Sequence, residues 1–278
     1  MSGARGLSPS TPRGGRWSPE GCCFLKRCCK RGTLPPRELV WEPRGWSMEL
    51  PAPLHRWDVS PQRAVACQRA LAARVVDRGG LSRARLVAGA DLAFSPDGQQ
   101  CVAGVVVWDA VERRVTEEQL AVRPVEFPYV PGLLSFREAP ALLAALARLS
   151  VEPDAFLFDG HGRAHPRRFG LACHVGLLID RPSAGCAKSR LVGEHREPAV
   201  SRGSTAPLTH RGERIGTVLR TRQSVRCVYV SVGHRAGLGP AVRLVLRCCT
   251  RYRLPEPTRL ADQLVGRAKR ELFAGPGA

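Results

Sequence analysis

Apolar positions along residues 60–76 recur at roughly helical spacing, with Val65, Leu71, Ala72, Val75 and Val76 on one side, Asp58 or Ser60 available as a cap and Pro61 just inside. This predicts a first helix. The pattern then changes to strands: Leu86 to Phe94 is apolar but for Asp91, Cys101 to Trp108 is a second run, and Arg114 to Val122 a third after a short turn at Asp109 to Arg113. Three strands in sequence predict an antiparallel meander. A stiff loop, Pro128-Tyr129-Val130-Pro131-Gly132, leads to a helix from about Arg137 to Leu149. Ser135 and Glu138 have capping-box spacing, yet a start at Ser135 places Pro140 inside the helix, where its missing N–H costs a backbone bond. A later start sets Glu138 at or just before the helix opening.

Phe156-Leu157-Phe158 is a short strand ending in Asp159, and the chain turns at once into a loop carrying Gly160, His161, Gly162, His165 and three arginines. A carboxylate held at a strand end and glycines that admit close backbone approach form a site-building pattern. Beyond it the hydrophobic pattern predicts a helix at Phe169–Leu178 and a strand at Ser183–Ala187 ending at Lys188. Polar loop follows from Gly193 to Arg211, then strands at Arg214–Thr221 and Arg226–Val232, and helices at Leu238–Cys249 and Pro257–Leu272. No internal repeat is present. Strands alternating with helices in this order predict an α/β fold with a mixed sheet, the meander joined by parallel strands and flanked by helices.

With 278 residues, 44% of them hydrophobic, the chain can bury one sizeable core. Its net charge of +19 points to a polyanionic partner such as nucleic acid, tempered by an arginine-heavy composition with only four lysines. Cys101, Cys173, Cys186 and Cys227 lie in apolar runs, where they serve as small hydrophobes in a reducing cytoplasm. No apolar run is long enough for a membrane span. Residues 1–47, with nine basic and three acidic side chains, lack periodicity and read as a disordered extension. Cys22-Cys23 and Cys28-Cys29 there lack the partners a zinc site needs. Met48, directly before the first organised segment, points to a start at that position and a catalytic domain over 48–278.

Three acids stand where the sheet can gather them: Asp91, Asp159 and Glu138. In such a sheet the first and fourth strands are commonly neighbours, which sets Asp91 beside Asp159. Adjacent carboxylates repel unless a cation lies between them, and oxygen ligands without cysteine favour Mg²⁺ or Mn²⁺. A divalent ion so held can activate water for attack at phosphorus. Lys188 and His234, each following a strand of the same sheet, are expected near that edge, the lysine to orient phosphate or water and the histidine to move a proton.

Six ordered motifs carry a resemblance. They are Gly89-Ala90-Asp91-Leu92-Ala93-Phe94; Pro128-Tyr129-Val130-Pro131-Gly132 with Phe136-Arg137-Glu138; Asp159-Gly160-His161-Gly162 with His165-Pro166-Arg167; Ala187-Lys188-Ser189; Tyr229-Val230-Ser231-Val232-Gly233-His234-Arg235; and Arg253-Leu254-Pro255-Glu256-Pro257. The sequence resembles endonuclease V, a ribonuclease-H-like nuclease that cuts nucleic acid near hypoxanthine, over about residues 58 to 272. The resemblance implies that Asp91 and Asp159 bind Mg²⁺ (Mn²⁺ substituting) with help from Glu138, that Lys188 and His234 assist catalysis, and that His165 stands behind the ligands. It implies a wedge at Pro128, Tyr129, Val130 and Pro131, with backbone amides near Gly132 and Gly170 reading the hypoxanthine oxygen. It also implies cleavage of the second phosphodiester bond 3′ to deoxyinosine or inosine, leaving 3′-hydroxyl and 5′-phosphate ends, by a monomer. His161 and Cys186 depart from the family pattern, and the segment between Lys188 and His234 is shorter and more polar than that pattern. Two other functions fit less of the chain. Another ribonuclease-H-like nuclease leaves Tyr129 unexplained, and a non-catalytic nucleic-acid-binding domain leaves three acids without a purpose.

Overall fold

The computed structural model describes residues 48–81 and 83–273; the expectations for the 1–47 extension and its cysteine pairs lie outside them. Helix α1 (Pro61–Ala72) opens where Ser60 caps it, the hydroxyl accepting from the Arg63 amide at 3.3 Å. Asp58 instead pairs with Arg56. Three antiparallel strands follow, β1 (Leu86–Phe94), β2 (Gln100–Asp109) and β3 (Arg114–Pro124), then α2 (Leu134–Leu146), β4 (Ala155–Phe158), α3 (Leu171–Ile179) and β5 (Ser183–Ala187). The C-terminal part adds β6 (Thr205–His210), β7 (Glu213–Leu219), β8 (Val228–His234), α4 (Leu238–Cys248) and α5 (Glu256–Phe273). The eight strands form one sheet in the order β3-β2-β1-β4-β5-β8-β7-β6.

Side-chain alternation splits the core in two. Ala88 and Ala90 of β1, with Phe156 and Phe158 of β4, pack with α2 and α3. Their neighbours Val87, Ala155 and Leu157 face the other way, in a cluster with α4. Helix α5 covers the meander on this second face, seating Ala261, Leu264 and Val265 on Val102 and Val106. The expected meander, and the parallel pairing of β1 with β4 and of β4 with β5, are all present.

Two expectations need correction. Residues 205–210, read as loop, form β6 at the sheet edge. Pro207 disguised it; an edge strand tolerates a residue that donates no ladder bond, and Ala206 and Leu208 supply its buried face. Helix α2 begins before Arg137 and contains Pro140. Its Ser135 hydroxyl bonds His174 Nδ1 at 2.9 Å and caps nothing. Burial of Phe136, Ala139 and Leu142 outweighs the bond that Pro140 forfeits, and Glu138 therefore sits in the second turn.

Candidate active site

Strands β1 and β4 run parallel with Ala90 opposite Phe158. Asp91 and Asp159 are the next residues on adjacent strands, whose spacing is about 4.8 Å. Asp159 follows the last residue of β4, and Lys188 the last residue of the neighbouring parallel strand β5. Lys188 Nζ lies 2.5 Å from Asp159 Oδ2. The Asp91 carboxylate accepts from the Leu92 amide at 2.9 Å, and Glu138 enters from α2.

The electrostatics of this group are unbalanced. Burial, aided by the charges of Asp159 and Asp262, pushes Asp91 up to about 7 against the opposing Leu92 hydrogen bond and Lys188. Burial, followed by repulsion from Asp91 and Asp159, pushes Glu138 up to about 8. For Lys188 burial disfavours the ammonium, but the Asp159 hydrogen bond and the pull of Asp159, Asp91 and Asp262 outweigh it and raise the lysine. One lysine thus faces more negative charge than it balances. An all-oxygen donor set of this kind suits a hard divalent cation. As the side chains stand, no three or more His, Cys, Asp or Glu among the described residues close to metal-binding spacing; Asp159 is drawn to Lys188 and Asp91 to the Leu92 amide.

Sequence reasoning missed Asp262. Its Oδ1 lies 3.8 Å from Lys188 Nζ, and its charge acts on Asp91. It reaches the site because the start of α5 crosses β1 at Gly89, where an added Cβ would lie 2.1 Å from the Pro257 carbonyl carbon. The signal was in the sequence, as an acid adjoining the buried stripe of Ala261, Leu264 and Val265 and five residues past the last quoted motif.

His234 does not join this group. Strand β8 is antiparallel to β5, pairing His234 with Ser183 at the start of β5 and Tyr229 with Ala187 at its end. His234 therefore lies at the opposite edge of the sheet from Lys188. Its Nε2 bonds Asp180 Oδ1 at 3.0 Å and its Nδ1 accepts from the Val76 amide at 3.2 Å. Because Nδ1 accepts from Val76, the proton sits on Nε2 and the neutral ring donates to Asp180; burial also holds the imidazole below its ordinary pKa despite Asp180. His165 also differs from its expected place behind the ligands. Its Nε2 donates to the Gly132 carbonyl at 3.0 Å and its Nδ1 accepts from the Arg167 amide at 3.2 Å.

Beside the carboxylates lies a cavity of about 200 Å³, lined by the loop residues Tyr129, Val130, Pro131 and Gly132 and, across from them, by His161, Gly170 and Leu171. Pro128 is exposed and does not line it. Tyr129 is 71% exposed, which is unusual for a residue whose only task is packing. Gly132 adopts φ +78, a conformation open to glycine. Its carbonyl accepts from Gln68 Nε2, His165 Nε2 and Arg167 Nη2 at 3.0, 3.0 and 2.7 Å. Gln68 also donates to the Phe169 carbonyl at 3.1 Å, tying the loop to the approach of α3. The Gly170 amide is spent on the Gly162 carbonyl at 3.0 Å, so it cannot read a base as expected. The neighbouring Leu171 amide opens α3, which has no side-chain cap.

Residues 69–263 match the Endonuclease V family. The chain belongs to the endonuclease V family. It is an endonuclease, in a family of nucleases that are generally metal-dependent. An Endonuclease V of Methanothrix thermoacetophila is 51% identical over 211 residues, covering 76% of this chain and 93% of the relative. The Streptomyces avermitilis Endonuclease V structure matches with a TM-score of 0.75 and 43% identity, over 78% of this chain and 96% of its own. A Ciona intestinalis Endonuclease V, solved with a 23mer DNA containing an inosine followed by a ribo-adenosine, shares the fold at 24% identity and a TM-score of 0.67, over 77% of this chain and 100% of its own. No helix among the described residues is long and apolar enough to cross a membrane.

Proposed function

We propose that this endonuclease cuts nucleic acid at the second phosphodiester bond 3′ to deoxyinosine or inosine, leaving 3′-hydroxyl and 5′-phosphate ends, and that it serves DNA repair as a cytoplasmic monomer. One observation carries the reading: a cluster of half-buried acids stands next to a base-sized cavity whose rim presents an exposed tyrosine. An enzyme that inspects a base takes it out of the stack, and Tyr129, between Pro128 and Pro131, can fill the gap at little entropic cost. The cavity adjoins the catalytic edge, which fixes the offset between the base that is read and the bond that is cut.

Asp91 and Asp159, with Glu138, are proposed to hold Mg²⁺, for which Mn²⁺ can substitute; Asp262 joins the same field. When bound, such an ion lowers the pKa of a water and stabilises charge at phosphorus. Lys188, anchored on Asp159, orients the phosphate or the attacking water. The Gln68, His165 and Arg167 bonds to the Gly132 carbonyl hold the wedge loop against the cavity. The Leu171 amide replaces that of Gly170 as the donor to the hypoxanthine oxygen.

The test uses labelled oligonucleotides with and without one inosine, as DNA and as RNA, in Mg²⁺ or EDTA. Cleavage beside inosine that EDTA abolishes is the expected result. Cleavage regardless of inosine, or binding without cleavage that persists in Asp91→Ala, contradicts the proposal.

A further inference from the structure

The base cavity holds a buried side-chain atom without a partner. Among the described residues, His161 Nδ1 is the buried side-chain nitrogen or oxygen that lacks a hydrogen-bond partner, and His161 lines the cavity. Buried polar atoms are nearly always paired, because an orphan forfeits its solvation. In the tautomer that carries its proton on Nε2, Nδ1 keeps a bare lone pair with no partner in the protein. Two further acceptors on the cavity wall are already engaged. The Gly132 carbonyl takes three donors, and the Ser135 hydroxyl is bonded to His174.

We propose that His161 Nδ1 accepts the N1–H of the hypoxanthine ring and is a specificity-determining residue of the base cavity. The proposal rests on the inosine reading given above. Hypoxanthine presents a donor at N1 where adenine presents a lone pair. One acceptor on the wall therefore favours inosine and repels adenosine. Guanine shares the N1–H, so this contact sets the deaminated base apart from its parent, and the 2-amino group of guanine is left to cavity packing. The pair of contacts is complementary, with Leu171 N–H donating to the exocyclic C6 oxygen and His161 Nδ1 accepting from the adjacent N1–H.

The test is kinetic, on the full chain with Mg²⁺ and oligonucleotides carrying inosine or adenosine at one position. His161→Leu is expected to lower kcat/KM at inosine by about 10- to 100-fold without lowering cleavage at adenosine. His161→Asn, whose Oδ1 takes the place of Nδ1, is expected to come within about threefold of the unaltered chain. Wild-type rates in His161→Leu, or equal losses in both variants, overturn the proposal. Nuclear magnetic resonance of the unaltered protein needs no variant. Inosine labelled with ¹⁵N at N1, bound with Ca²⁺ in place of Mg²⁺, is expected to show an imino proton coupled across to a histidine Nδ1. An N1–H that exchanges with water, or couples to no histidine, overturns it. Failure of the unaltered chain to cut at inosine defeats the cavity reading itself, whereas inosine cleavage insensitive to His161→Leu defeats this contact alone.

Discussion

Lys188 Nζ sits 2.5 Å from Asp159 Oδ2 and 3.8 Å from Asp262 Oδ1, bridging the end of a sheet strand and a helix. The lysine is exposed and stabilises no core, so its proposed role rests on its charge. Lys188→Met is expected to cut kcat by about 100-fold or more while circular dichroism and melting temperature stay close to the unaltered protein. Retained activity would show that this ammonium only neutralises its neighbours.

The raised acids make a pH prediction. Asp91 and Glu138 titrate near 7 and 8 when folded, against ordinary values of 3.8 and 4.5. Between those values the folded chain binds more protons than the unfolded one, so the stability these groups contribute is full below about pH 4 and is lost as pH rises through 7 and 8. In EDTA the melting temperature should therefore fall from pH 6 to pH 8.5 through these two groups, and Asp91→Asn with Glu138→Gln should flatten that fall. Saturating Mg²⁺ should flatten it too, since the ion competes with those protons. An unchanged slope in the double variant would place the acids elsewhere.

Asp262 is 56% exposed, so Asp262→Asn should leave folding intact and lower kcat by about 10-fold or more. Gly89→Ala attacks the same residue indirectly, because the new methyl meets the Pro257 and Thr258 backbone at 2.1–2.4 Å. It is expected to destabilise by about 1–3 kcal/mol and to lower activity in the fraction that remains folded. Activity equal to the unaltered chain in both variants would remove Asp262 from the site.

His234→Ala should behave oppositely. Losing a side chain that is 3% exposed, with bonds to Asp180 and the Val76 amide, is expected to cost about 1–3 kcal/mol, with kcat per folded molecule retained. A collapse of kcat without loss of stability would restore the catalytic role that its strand direction argues against.

Most of the framework was legible because hydrophobic period and strand ends are local signals. The meander, the parallel β1-β4-β5 core and the carboxylates at their ends follow from residues 86–94 and 156–159. Strand direction in the second half was not legible. Whether β8 runs with or against β5 is decided by the intervening β6-β7 hairpin, and Pro207 hid its first strand. That single direction moved His234 to the far edge. Asp262 escaped because its approach depends on α5 crossing at Gly89, a contact between residues 168 positions apart. The Gly170 amide looked available because its partner, the Gly162 carbonyl, comes from the other side of the same loop.

Tyr129→Ala should weaken binding to inosine-containing oligonucleotide by about 10-fold or more, in line with the stacking energy of one aromatic on a base, while leaving divalent-ion affinity unchanged. Equal loss of both would contradict the wedge.

The shared cation is tested most directly by calorimetric titration of Mn²⁺ into the unaltered protein, Asp91→Asn and Asp159→Asn. One site in the unaltered protein, weakened about 10-fold or more in each variant, is the expected result. Undiminished binding in both variants would contradict it.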